Sequence, residues 1–266
     1  MAELELTKHH GLGNDFLVAF HPHVDDLPAL ARRLCDRRRG IGADGLLIGE
    51  SEPGYAARMV LYNSDGSRAE MSGNGIRCFA QALSRRRGDL DPQRILTDAG
   101  ERLVTLYPTE SPDVIEAAVD MGPVSSIDEP DDWDRVGTDP LRPVSHLSVG
   151  NPHAVVAVED VAAVDLLTLG AVVPDINLEV VEPGPEPHAI TMRVHERGAG
   201  ITEACGTGAC ASAWAARSWG FVPAEVEEIT VHMDGGDAKV RLHDPQMGHV
   251  TLVGPAEFVG SITVHI

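Results

Sequence analysis

Two side chains of nucleophile type occupy matched settings in this chain. Glu70-Met71-Ser72-Gly73-Asn74-Gly75 recurs as Glu203-Ala204-Cys205-Gly206-Thr207-Gly208. The offset of 133 residues (205 − 72) is half of the 266 in the chain. Each Ser or Cys stands just before a glycine-rich stretch that reads as a helix start, where several backbone N–H groups lack intrahelical partners. Such groups bind an anion, and glycine lets a ligand carboxylate come close to the backbone. The same field favours a thiolate, which makes Cys205 a candidate general base. One acid/base group per half suits inversion at carbon, in which one group removes a proton and another returns a proton from behind. No pyridoxal-lysine context, P-loop or dinucleotide fingerprint occurs, so no cofactor is expected. A carbanion at such a site would be stabilised by dipoles alone, and helix N-termini supply them.

The elements that must position these groups also repeat. Asn74 to Arg87 reads as a helix because Ile76, Phe79, Ala80 and Leu83 fall at i, i+3, i+4 and i+7. Thr207 to Trp219 reads as its counterpart, with alanines small enough for close packing. Asp26 to Arg38 reads as a further helix, capped by Asp25 or Asp26 and stopped at Gly40. Strands are expected at Leu4–Thr7, Leu46–Gly49, Arg58–Asn63, His153–Val158, Asn177–Val181 and Thr191–His195. Hairpins are expected at Arg94–Thr97 with Arg102–Tyr107, and at Ile229–Met233 with Ala238–Leu242. Gly13-Asn14-Asp15-Phe16 echoes Gly150-Asn151-Pro152-His153, and Asn63 precedes Ser72 by the same nine residues by which Glu196 precedes Cys205. The expected division is a first lobe over residues 1–120, completed by 258–266, and a second over 121–257. Ser125 to Pro143, rich in Asp and Pro, is the expected connection between them.

Composition narrows the class. A hydrophobic content of 43% suits a globular protein, and no apolar run is long enough to span a membrane. The net charge of −20 argues against a nucleic-acid partner. Four cysteines make no disulfide framework, and the first residues lack the order of a secretory signal, so the cytoplasm is expected. Cys35, Cys78 and Cys210 read as core. His9-His10 and His21-Pro22-His23 offer no third ligand, and no metal is expected.

As a set, Gly13-Asn14-Asp15-Phe16, Tyr62-Asn63-Ser64-Asp65-Gly66-Ser67, Ser72-Gly73-Asn74-Gly75-Ile76-Arg77-Cys78, Gly150-Asn151-Pro152-His153, Glu196-Arg197-Gly198-Ala199-Gly200 and Ala204-Cys205-Gly206-Thr207-Gly208-Ala209-Cys210 resemble the diaminopimelate epimerase family. The resemblance runs from about Lys8 to the C-terminus. It implies an α/β (α+β) fold of two pseudo-symmetric lobes, each a mixed or antiparallel sheet wrapped around a central helix, with the site in the cleft between them. It implies interconversion of LL- and meso-diaminopimelate without pyridoxal phosphate, on the route to lysine and peptidoglycan, in a homodimer. By the same resemblance Asn14, Asn63, Asn151 and Asn177 hold the polar ends of the amino-acid substrate. Glu196 and Arg197 read its distal end, where Arg takes a carboxylate bidentately and Glu an ammonium. Gly73, Asn74, Gly206 and Thr207 cradle the reacting carboxylate, and His153 stands beside the site.

Two positions depart from the family pattern. Gly45 stands where some members carry a glutamine contact. Ser72 stands where the family has its first catalytic cysteine. A thiol starts near a pKa of about 8.5 and needs only modest help to ionise near neutrality, whereas an alcohol starts several units higher. Each unit corresponds to about 1.4 kcal/mol, and a helix terminus supplies at most about 2 kcal/mol. Cys205 is therefore expected to be the strong base and Ser72 a weak partner. A hydroxyproline epimerase or dehydratase of the same fold remains open, as does an amino-acid-binding homologue with weak catalysis.

Overall fold

The computed structural model describes residues 3–243 and 248–265 and divides the chain into two compact units. The first comprises residues 1–119 and 254–266, the second 120–253. The architecture is mixed α+β and dominated by sheet.

The first unit opens with a hairpin of β1 (Glu3–Gly11) and β2 (Asn14–Phe20). Its turn places Leu12 and Gly13 at φ 55° and 82°, a left-handed pair that brings Asn14 opposite Gly11. Helix α1 (Leu27–Cys35) carries the chain to β3 (Gly45–Glu50), which lies parallel to β2 with Phe16 opposite Gly45. Strand β4 (Ala57–Asn63) returns antiparallel, setting Asn63 opposite Gly45. A two-residue strand, β5 (Arg68–Ala69), precedes the long helix α2 (Gly73–Arg87). That helix crosses to β6 (Gln93–Thr97), parallel to β4, and β7 (Gly100–Pro108) and β8 (Val114–Pro123) follow as a meander.

The second unit runs through the same succession. After β9 (Ser125–Ser126), strands β10 (Val144–Ser148) and β11 (Pro152–Ala157) form the hairpin. Helix α3 (Leu166–Gly170) leads to β12 (Asn177–Pro183), parallel to β11 with His153 opposite Asn177. Strand β13 (Ala189–Glu196) returns antiparallel, and β14 (Gly200–Thr202) precedes the long helix α4 (Gly206–Trp219). This helix crosses to β15 (Glu228–Met233), parallel to β13, and β16 (Gly236–Leu242) closes a hairpin with it. Strand β17 (His249–His265) pairs with β16 in its first part and with β1 in its last.

Each long helix is the centre of its unit. All residues of α2 from Gly73 to Ser84 are buried, and α4 is buried from Gly206 to Ala213. Burial on every side is what a helix enclosed by strands requires, and it explains the small residues of α4. Both end on a left-handed glycine, Gly88 and Gly220, each at φ 78°. Cys35, Cys78 and Cys210 are buried thiols.

Some elements differ from the sequence-based expectation. Helix α1 ends at Cys35 rather than Arg38, because the Asp36 carboxylate accepts from the N–H groups of Arg38 and Arg39 and turns the chain. Ser125 to Pro143 does not connect the units; it belongs wholly to the second. Trp133 and Val136, on a 3-10 turn, are buried there against Ala154, Val156, Leu178 and Val180.

Candidate active site

Each long helix begins at one of the two candidate side chains. Ser72 is the N-cap of α2, in extended conformation (φ −141°, ψ 124°), and its Oγ accepts from the Gly75 N–H at 3.0 Å. Cys205 is the N-cap of α4 in nearly the same conformation (φ −125°, ψ 114°), and its Sγ accepts from the Gly208 N–H at 3.3 Å. Ser is a favoured N-cap because its oxygen satisfies an orphan donor; here the sulfur does the same.

In the first unit the polar groups around Ser72 form one chain of hydrogen bonds. Asn74 Nδ2 donates to Asn14 Oδ1 at 3.3 Å, and Asn14 Nδ2 donates to Asp44 Oδ2 at 2.7 Å. Arg37 binds both Asp44 and Asp15 at 2.7 Å, and Lys8 pairs with Asp15 at 2.8 Å. Burial would raise the Asp15 carboxyl, but Arg37 and Lys8 outweigh it and hold it below the usual carboxylate range. Beneath Asn74 lies Arg77, fully buried, donating to Asn74 Oδ1 at 2.7 Å, to the Gly73 carbonyl at 3.2 Å and to the Pro255 carbonyl at 3.1 Å. Asn63 stands apart from this chain: it is exposed, and its Nδ2 donates to Ser67 Oγ. Gly45 has no room for a glutamine, since even a Cβ would lie 2.9 Å from the Tyr62 carbonyl oxygen and 3.2 Å from Phe16.

In the second unit the chain of contacts runs from the sulfur inward. Cys205 Sγ lies 3.5 Å from Thr207 Oγ1, and Asn151 Nδ2 donates to that hydroxyl at 3.3 Å. His153 Nε2 lies 2.9 Å from Asn151 Oδ1, and His153 Nδ1 lies 2.7 Å from Glu179 Oε1. Both His153 and Glu179 are fully buried. Asn177 donates to the Pro152 carbonyl at 2.8 Å and accepts from the Arg197 N–H at 3.0 Å. Glu196 accepts from Thr202 Oγ1 at 2.5 Å, and the Arg197 side chain is exposed.

The sequence leads one to expect a helix terminus that lowers the Cys205 pKa; the structure gives the opposite balance. Cys205 is 4% exposed, and burial pushes its thiol well above the ordinary value, with the charges of Glu196 and Glu179 adding to the rise. The Thr207 and Gly208 contacts oppose this and lose. Burial also raises the Glu179 carboxyl, against the opposing effect of His153.

Asp44, Arg77 and Glu179 are absent from the sequence-based set. Glu179 had a signal: on a strand, positions two apart share a face, and Glu179 follows Asn177 by two in an otherwise apolar run. Arg77 had a weaker one, as a cation on the helical repeat of Ile76, Phe79 and Ala80. A cavity of about 350 Å³ in the second unit, walled in part by Val136, Arg142, Val158, Leu169 and Val180, includes none of the candidate residues. Among the described residues no group of His, Cys, Asp or Glu is arranged to hold a metal ion, and no helix is long and apolar enough to cross a membrane.

The fold recurs in solved structures. A PhzF-family phenazine biosynthesis protein from Bacillus anthracis superposes with a TM-score of 0.78, covering 100% of both chains at 14% identity. A hydroxyproline epimerase from Agrobacterium vitis gives 0.69, covering 98% of this chain and 92% of its own at 15% identity. Fold and repeat together thus define a protein of this two-unit α+β class, with one capped central helix in each unit. Within the class, the diaminopimelate epimerase family model matches residues 6–127 and 145–259. The diaminopimelate epimerase of Pelotomaculum thermopropionicum is 39% identical over 280 aligned positions, covering 97% of this chain and 98% of the relative. The chain belongs to the diaminopimelate epimerase family.

Proposed function

We propose that this chain interconverts LL- and meso-2,6-diaminopimelate without a cofactor, by removing and returning the α-proton, as a step of lysine biosynthesis. The observation that carries the reading is the pair of half-sites. Ser72 and Cys205 cap the two central helices in the same geometry, in a chain 39% identical to a diaminopimelate epimerase over nearly its full length. Gly73, Asn74, Gly206 and Thr207 then offer N–H and polar groups to the reacting carboxylate. Asn14, Asn63, Asn151 and Asn177, with Glu196 and Arg197, take the remaining polar groups. Cys205 and Ser72 are the proton-transferring pair, and Cys205 is the more acidic of the two. A homodimer in the cytoplasm completes the proposal, on the strength of the family resemblance.

The test follows deuterium from solvent into the α-carbon of LL- and meso-diaminopimelate, with wild type, Ser72→Cys and Cys205→Ser in parallel. Slow exchange with wild type, faster exchange with Ser72→Cys and none with Cys205→Ser are expected. Turnover of hydroxyproline with none of diaminopimelate would replace this reading with that of the other epimerase of the fold. Equal, fast exchange from both stereoisomers by wild type would remove the handicap assigned to Ser72.

A further inference from the structure

Glu179 is the one fully buried carboxylate among the described residues, and the proposed reaction does not use it. One oxygen lies 2.7 Å from His153 Nδ1; the other is buried with no hydrogen-bond partner. The side chain points at the first turn of α4, where a Cβ added to Gly208 would lie 2.6 Å from Oε1. The repeat shows how unusual this is. Since Phe16 faces Gly45 as His153 faces Asn177, the first-unit counterparts of His153 and Glu179 are Phe16 and Leu47. At these two positions the first unit places hydrocarbon and the second a titratable pair.

Proton bookkeeping shows what the pair does. With Asn151 donating to Thr207, its Oδ1 must accept, so His153 Nε2 carries a proton. Nδ1 and Oε1 then share a second proton between them, as imidazolium and carboxylate or as imidazole and carboxylic acid. The charge beneath Cys205 therefore depends on whether the pair holds that proton. The titratable groups that act on one another here are His153, Glu179, Glu196 and Cys205. His146 and His195 pack elsewhere, against Trp133 and Gly170.

We propose that Glu179 is a positioning residue for Cys205: with His153 it holds one shared proton, and so fixes Asn151 and Thr207 at the sulfur and sets the charge against which the thiol ionises. The proposal rests on the reading of Cys205 as a proton-transferring group. A bare carboxylate keeps the sulfur a thiol, whereas a protonated pair permits the thiolate. The direction agrees with burial and the Glu196 and Glu179 charges raising the Cys205 thiol.

The test compares wild type with Glu179→Gln, which keeps the shape and cannot take on the negative charge that the pair acquires when it loses its shared proton. The rate of Cys205 alkylation by iodoacetamide is read by peptide mass spectrometry as a function of pH. The ionisation limb is expected to move to lower pH by about one unit, a roughly tenfold faster reaction below the midpoint. The KM for diaminopimelate should hold while kcat changes, because Glu179 is shielded from any ligand. An unmoved limb, or a change confined to KM, overturns the proposal. If Glu179→Gln does not fold, the double variant His153→Phe with Glu179→Leu, which copies the Phe16 and Leu47 of the first unit, must move the limb the same way. In wild type below the ionisation limb, nitrogen-15 NMR must find a proton on both ring nitrogens of His153 or one shared with the carboxyl; a bare Nδ1 beside an ionised Glu179 at that pH overturns the proposal. Alkylation needs no turnover, so absence of deuterium exchange by wild type would refute the proposed function and leave this result separately readable.

Discussion

Replacing Gly208 by alanine tests the packing beneath Cys205 directly. The new Cβ would lie 2.6 Å from Glu179 Oε1 and 3.3 Å from the Cβ and Sγ of Cys205. Real Cβ contacts essentially never fall below 3.0 Å, so the oxygen must retreat by at least 0.4 Å (3.0 − 2.6). That oxygen is the one held 2.7 Å from His153, and the glutamate is fully buried, so there is no solvent-side rotamer to accept it. Overpacking of this kind costs about 1–3 kcal/mol, and weakening a hydrogen bond to a charged group forfeits part of about 1.5–3 kcal/mol. Alanine returns up to about 1 kcal/mol of helix propensity. The net expectation is a loss of about 2 kcal/mol. Gly75→Ala is the matched control in α2. Its Cβ would meet Ser72 Cβ at 3.0 Å, Oγ at 3.2 Å and Phe16 at 3.4 Å, contacts that give by small shifts and strand no buried charge. That variant should stay within about 1 kcal/mol of wild type. Urea denaturation of both variants against wild type measures the difference. Equal stability of the two would refute the picture of a tight contact between Glu179 and the first turn of α4 and a looser one at Gly75.

Two further outcomes are expected. Arg77→Leu takes the guanidinium away from Asn74 Oδ1 and the Gly73 and Pro255 carbonyls; each lost hydrogen bond to a charged group is worth about 1.5–3 kcal/mol. The thermal midpoint should fall accordingly, and an unchanged midpoint would show that other donors replace it. His9 is buried between Gln81 Oε1 and Thr7 Oγ1, and burial pushes its imidazole down to about 4. Because its folded value lies below the unfolded one, the unfolded chain takes the proton first, and stability falls as pH drops from about 6.5 toward 4. At pH 5 the loss is about 2 kcal/mol. His9→Gln should narrow its deficit to wild type over that range in urea unfolding, and a constant deficit would contradict the assignment.

How much could be read beforehand divides along physical lines. The long helices were legible because their caps and glycines are local signals: Ser72 and Cys205 satisfy donors three residues on, which spacing alone conveys. The hairpins Gln93–Thr97 with Gly100–Pro108, and Glu228–Met233 with Gly236–Leu242, were legible from their turn residues for the same reason. Strand Val114–Pro123 and the strand His249–His265 were not, since their burial patterns depend on partners far away in sequence. Asn14 and Asn63 are the pair expected to share a task; Asn14 is hydrogen-bonded instead to Asn74, which the resemblance gives to the reacting carboxylate, and Asn63 is held by Ser67. What sequence could not convey was the balance of burial against helix field at Cys205, because desolvation is set by the whole fold and a cap by four residues.

The repeat, once laid in register, separates what the two halves share from what they do not. The shared part is backbone: a hairpin, a parallel step, an antiparallel return and a capped helix. The difference lies in the charge under the cap. The first turn of α2 holds the buried Arg77 guanidinium, bonded to Gly73 and Asn74; the Cys205 thiol meets the charges of Glu196 and Glu179. A cation behind a helix N-terminus adds to the positive end of the dipole and favours an anion there. An anion behind a helix N-terminus subtracts from it and favours the neutral, protonated group. The field thus works with the weaker acid, serine, and against the stronger acid, cysteine, bringing the proton affinities of the two groups closer than their chemistry alone would. Serine and cysteine start several units apart, more than these fields can close, so the handicap of Ser72 is reduced and not removed.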